Sequence, residues 1–226
     1  MSACHAVLLD TVSIQPYIFQ SNKLKENLGA SYLVQEIYRS YLACALCPIT
    51  GRTFEEELQH LDDWKHAEAP DGTKPVGIGY IGGGNALLFF QNEGQARKFI
   101  EEWTKILLVH APGLTTAVAH RNFSLDQFQP SFEELFIQLK HNKARYSPIT
   151  SLPRHGITAE CARSGVSAEI YNELVEAYVS AGVNARIEAA TESKEKLEEK
   201  YQGLLGGNYC FSNELEDLGG ISGEDS

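Results

Sequence analysis

The stretch VGIGYIGGGNALLFF, residues 76–90, decides how the chain is read. Two short apolar runs, Val76–Ile81 and Ala86–Phe90, flank Gly82, Gly83, Gly84 and Asn85. Valine, isoleucine, tyrosine and phenylalanine on both sides of a glycine cluster predict a β-hairpin with a permissive turn. A turn almost without side chains lets a ligand approach its backbone.

Upstream, His5–Leu9 reads as a strand that ends in Asp10, followed by Thr11. From Gly29, the apolar positions Ala30, Leu33, Val34, Ile37, Tyr38, Tyr41, Leu42 and Ala45 recur at three and four, which predicts one helix with a broad buried face. Residues 48–74 hold Pro48, Gly51, Pro70 and Gly72 and read as an exposed connection with a helical turn near Phe54–Leu61. Downstream, Asn92 caps a helix with Gln95 placed for the reciprocal contact, and Ala96, Phe99, Ile100, Trp103, Ile106 and Leu107 form its stripe. Leu114–His120 is a fourth strand. Ser131 with Glu134 reads as a capping box that opens a further helix with the stripe Phe132, Leu135, Phe136 and Leu139.

This order predicts an α+β fold: a ferredoxin-like βαββαβ domain over residues 4–146, with an antiparallel four-stranded sheet and one additional helix. The first strand of such a sheet is central and lies beside the third, so Asp10 is expected next to the Gly82–Asn85 hairpin. Beyond Tyr146 the prolines at 148 and 153 and Gly156 break the pattern. Helical spacing then resumes at Ile170–Tyr178 and Ala185–Leu205, giving a C-terminal helical extension over residues 147–205. Residues 206–226 are glycine-rich and acidic and read as a linker or tail.

The 226 residues are 43% hydrophobic and 22% charged, an ordinary globular composition. The formal charge of −11 is concentrated towards the C-terminal end. Phosphate contacts draw on lysine and arginine, so this balance argues against general binding to nucleic acid or an anionic membrane. No run approaches the ~18 apolar residues of a membrane span, and the first residues lack a basic segment followed by an apolar one, so a cytoplasmic protein is expected. The five cysteines are scattered, as reduced thiols would be. Cys44 and Cys47 form C-x-x-C without a second pair, so no zinc is expected. The histidines show no ligand or relay spacing.

A carboxylate beside a glycine-rich hairpin on such a sheet is the arrangement of polymerase and nucleotide-cyclase palms. There, acids hold two divalent metals about 4 Å apart that clamp a triphosphate and activate a hydroxyl. That chemistry needs several carboxylates. Here Gly84 and Asn85 stand where two acids are required, and a neutral amide is a weak ligand for a hard cation.

The run LLDTVSIQPYIFQSNKLKENLGASYLV followed by GYIGGGNALLFF resembles the first palm domain of the large polymerase/cyclase subunit of type III CRISPR effector complexes, over roughly residues 4–146. That family pairs a first, degenerate palm with a second that carries a GGDD hairpin. The two pack face to face around ATP, and the second does the metal chemistry of cyclic oligoadenylate synthesis in antiviral defence. Gly82 and Gly83 match the two glycines, and Gly84 and Asn85 replace the two aspartates. Asp10 matches the strand-end aspartate and, by resemblance, is the candidate metal ligand. Ser13, Ile14 and Gln15 match the segment after it, and Tyr17, Ile18 and Phe19 the aromatic stretch. Lys23, Lys25, Gly29 and Ser31 match a basic segment and a small-residue helix start, a favourable place for phosphate.

The resemblance thus implies a nucleotide site formed by Asp10, Ser13, Gln15, Lys23, Lys25, Ser31, Gly82, Gly83, Gly84 and Asn85. ATP would be its ligand, with Mg²⁺ or Mn²⁺ as the accompanying ion. The implied partner is a second palm domain, in the same parent protein, a separate chain or another copy, together with other CRISPR effector subunits. NELEDLGGISGED, near the end, resembles the lead-in to the second palm.

With no confident catalytic residue, the chain is expected to be inactive alone. One alternative is an independently active metal-dependent nucleotidyl cyclase or polymerase that uses Asp10. A further alternative is an RNA-binding ferredoxin-like module, against which the absence of lysine and arginine from Val76–Tyr80 and Ala86–Phe90 argues. Blander roles are open as well: Asp10 as a turn cap, Lys23 and Lys25 as solvated groups, and Tyr17 and Phe19 as packing residues.

Overall fold

A computed structural model describes residues 3–145 and 156–205. The tail over 206–226, with Cys210 and the NELEDLGGISGED segment, lies outside the described residues. The chain divides into two compact units, one of residues 1–14 and 34–150, the other of residues 15–33 and 151–226.

The first unit is built on a four-stranded antiparallel sheet. Its strands are β1 (Ala3–Val12), β2 (Val76–Gly82), β3 (Asn85–Phe90) and β4 (Thr115–Ser124), and they lie in the order β2-β3-β1-β4. The expected split β-α-β arrangement is therefore present, with β1 central between β3 and β4. Because side chains alternate across a strand, β1 serves two cores. Val7 and Leu9 join Ala86, Leu88 and Phe90 on one face, beneath Leu42, Ala45 and Leu46 of α3 (Ser40–Thr50) and Phe99 and Trp103 of α5 (Glu93–His110). Cys4, Ala6 and Leu8 join Leu87, Phe89, Ala117, Ala119 and Phe123 on the other, beneath Leu135 and Leu139 of α6 (Phe128–Arg145). The helix additional to the βαββαβ set thus covers the second face of the sheet.

Several boundaries differ from the sequence expectation, each for a local reason. The helix read from Gly29 to Ala45 is two helices, α2 (Leu24–Ile37) and α3. The Trp103 indole donates to the Ile37 carbonyl at 3.3 Å, taking an acceptor that a continuous helix would use, and Arg39 leaves the helical region at φ −123°, ψ −91°. Ser131 does not cap α6, which starts at Phe128. Its hydroxyl instead accepts the Ser124 amide, tying the end of β4 to the helix. The helical turn near Phe54–Leu61 is α4 (Phe54–Asp63), opened by a full capping box between Thr53 and Glu56. Asn92 caps α5 as expected by accepting the Gln95 amide. Between β1 and α2 lies a short helix, α1 (Ile14–Ile18).

In the second unit, the helix expected at Ile170–Tyr178 is instead a hairpin of β5 (Ile170–Asn172) and β6 (Ala177–Val179). The three-and-four spacing of its apolar residues is overridden by turn chemistry. The Asn172 carboxamide accepts the amides of Leu174 and Val175 at 3.0 and 3.2 Å, and Glu176 takes φ +49°. The C-terminal helix α7 (Ala181–Leu205) follows. Part of α2 crosses it closely: a Cβ on Gly29 would lie 1.8 Å from the Arg186 carbonyl oxygen. Arg186 stacks on the buried Tyr17 ring at 4.3 Å and donates to Gln20.

Candidate functional site

The hairpin fixes the geometry of the site in the first unit. β2 and β3 are joined by Gly83 and Gly84 with φ of +60° and +84°, the positive pair that a tight hairpin turn with this twist requires. Asp10 pairs with Asn85 on one side and Ala117 on the other, and Thr11 donates its amide to the Gly84 carbonyl at 2.8 Å. The expected convergence of Asp10 and the glycine hairpin is present. Asp10 lies within β1, which continues to Val12, rather than at its end.

The hairpin is also held from the opposite face of the sheet. The buried Tyr38 hydroxyl donates to the Gly84 carbonyl at 2.7 Å and lies 2.8 Å from the buried Thr11 hydroxyl. With the tyrosine proton directed at the carbonyl, the threonine donates to the tyrosine oxygen. Burial pushes the Tyr38 phenol well above its ordinary range, so it remains a donor. The sequence reading took Tyr38 as one more apolar stripe residue and so missed its hydroxyl.

Lys143 was missed as well. Its ammonium meets the Asp10 carboxylate at 2.5 Å, with Asp10 only 15% exposed. The signal was available: Leu135, Leu139 and Lys143 are spaced four apart and share one face of α6, so the stripe read as far as Leu139 reaches Lys143 at its next step. Asp10 lies on the face of β1 that carries Ala6 and Leu8, the face covered by α6.

The other residues of the expected site are distributed over the two units. Ser13 follows β1 with φ +59° and is exposed, in the first unit. Gln15, Lys23, Lys25 and Ser31 belong to the second. Lys23 and Lys25 flank the start of α2 at Leu24, whereas Gly29 and Ser31 lie well inside that helix rather than at its start. Ser31 is exposed, and Gly29 is consumed by the crossing with α7.

A pair of divalent cations of the kind palms use does not fit these residues. Asp10 is paired with a lysine, and the Asn85 amide donates to the Gly83 carbonyl at 3.2 Å. Among the described residues no three His, Cys, Asp or Glu side chains come together as a metal site. An RNA-recognition surface fares no better, since that mode needs an open sheet face and here helices lie on both. Among the described residues no helix is long and apolar enough to cross a membrane.

At the far end of the sheet, a polar cluster has no part in the hairpin. The buried His5 bonds Asn122 through Nδ1 at 3.0 Å and His120 through Nε2 at 2.9 Å. Burial, and then the neighbouring His5, hold the His120 imidazole below its ordinary pKa.

The sequence matches no protein-family profile, and no curated protein matches it. Among solved structures, the chain is similar to a Csm1-Csm4 cassette in complex with AMPPNP, at 16% identity and a TM-score of 0.45 over 64% of this chain and 19% of that one. It is also similar to such a cassette in complex with cA3, at 17% and 0.43 over 64% and 19%, and to one in complex with pppApApA, at 16% and 0.45 over 74% and 24%. The chain therefore spans about a fifth to a quarter of the length of the solved chains to which it is similar.

Proposed function

We infer that this chain is a catalytically degenerate palm of the type III CRISPR polymerase/cyclase kind, which binds ATP at its glycine hairpin and docks a second palm domain that performs the chemistry. The match of Asp10, Ser13–Gln15 and Gly82–Gly83 to the family pattern supports the assignment to this kind of palm. One geometrical observation carries the degeneracy: the carboxylate beside the hairpin is neutralised by Lys143, while the hairpin offers Gly84 and Asn85 in place of acids. A single, neutralised carboxylate lacks the charge to hold two divalent cations, so the frame of a palm is kept without its metal clamp. What remains open at the hairpin is Gly83, where an added Cβ would meet nothing nearer than 3.6 Å, while the Ile14 side chain covers Gly84; the open glycine and the part-exposed Lys143 of the ion pair are the features offered to a polyphosphate. Other effector subunits belong to the same proposal.

The test is turnover by the isolated chain. Incubation with ATP and Mg²⁺ or Mn²⁺ is expected to give no oligoadenylate, and product is expected only once a second, GGDD-bearing palm is added. Product made by the chain alone and lost in Asp10→Ala would establish the independently active alternative.

A further inference from the structure

We propose that Lys143 is a tethered cation standing where a palm places its divalent metal, and that its bond to Asp10 bars a metal from this face. The proposal builds on the palm reading, and its test uses the metal alone. Lys143 is half-buried and its ammonium is tied to Asp10. It is one step beyond Leu135 and Leu139 on the buried face of α6, and the neighbouring Asn142 donates to the Val118 carbonyl at 2.7 Å, anchoring the same turn to β4. It lies in the last turn of α6, where a cation is favoured by the helix dipole.

Its partner is equally fixed, because Asp10 is paired on both sides within the sheet and largely covered. At 2.5 Å the ammonium is bonded to Oδ2 of the carboxylate and places a full positive charge beside the oxygen atoms that a metal would need. A divalent ion brought to the same oxygen atoms would face a like charge at close range in a partly buried setting, where screening is weak.

The register provides a direct test. Asn85 is opposite Asp10, and residues opposite each other on an antiparallel pair share a face with Cβ atoms about 5 Å apart. Asn85→Asp therefore places a second carboxylate beside the first. The full chain, its Asn85→Asp variant, and Asn85→Asp combined with Lys143→Gln or with Lys143→Met are titrated with Mn²⁺, and bound metal is read from the loss of the free-ion electron paramagnetic resonance signal. Far-ultraviolet circular dichroism confirms that each variant is folded.

Expected are no saturable Mn²⁺ on the parent chain, little on Asn85→Asp, and about one equivalent on both double variants, bound at least about tenfold more tightly than by Asn85→Asp. Mn²⁺ bound by the parent chain and lost in Asp10→Asn overturns the proposal. So does equal binding by Asn85→Asp and the double variants, or binding by none, since Lys143 would then not be what excludes the metal. None of these outcomes depends on ATP, so failure here is separable from failure of the nucleotide reading.

Discussion

Removing one buried hydroxyl, in Tyr38→Phe, examines how firmly the hairpin is built into the core. The Tyr38 oxygen makes two hydrogen bonds, to the Gly84 carbonyl at 2.7 Å and to Thr11 at 2.8 Å. After substitution, Gly84 keeps the Thr11 amide as a partner, but the Thr11 hydroxyl is left buried and unpaired. The lost bond to Gly84, at roughly 1 kcal/mol, and the orphaned Thr11 hydroxyl, at about 1 to 3 kcal/mol, give a destabilisation of about 2 to 4 kcal/mol. Thr11→Val removes that hydroxyl, so the double variant should cost less than the sum of the single ones by about 1 kcal/mol. Urea denaturation gives the stabilities, and hydrogen exchange at the Thr11 amide, which bonds Gly84, reports the hairpin itself. A Tyr38→Phe cost below about 0.5 kcal/mol, with unchanged Thr11 exchange, would refute the network.

Three further outcomes are expected. Because the folded state holds His120 below its ordinary pKa, the unfolded chain takes up that proton first as pH falls; stability is full above about pH 6.5 and is lost as pH falls towards the lowered value. His120→Gln should flatten this decline in denaturation midpoints measured between pH 7.5 and pH 5. Gly29→Ala drives a methyl group into the Arg186 backbone carbonyl, and thermal unfolding should show a loss of about 3 kcal/mol or more. Asn172→Ala removes the acceptor of the Leu174 and Val175 amides and the donor to Asn184, and should cost about 2 kcal/mol, seen as faster exchange across β5–β6.

The sheet was legible because alternation and turn chemistry agreed. Val76–Phe90 could be nothing but a hairpin, and placing β1 beside β3 followed from the order of elements. Ile170–Tyr178 was misread because its apolar spacing suits a helix, while Asn172 and Glu176, two residues of turn chemistry, decide for a hairpin. The break after Ile37 was invisible locally, since it depends on the Trp103 indole, far along the chain. Within the site, the sequence pointed to Asp10 and the glycines. Lys143 is one step past the point where the α6 stripe was followed, whereas Tyr38 was hidden because it sits on an apolar stripe, where spacing announces packing and says nothing of the polar atom at the tip.

The central claim is that the hairpin binds ATP, and calorimetric titration of ATP into the full chain tests it most directly. Gly83→Asp and Lys143→Gln serve as the variants; an added Cβ at Gly83 meets nothing nearer than the Tyr80 hydroxyl at 3.6 Å, and aspartate is among the residues that best tolerate its φ of +60°, so the first places a negative charge on the turn without a clash and at modest backbone strain. Saturable binding, weakened by both variants, is the expected result. No heat at millimolar ATP, or binding indifferent to both substitutions, would contradict it.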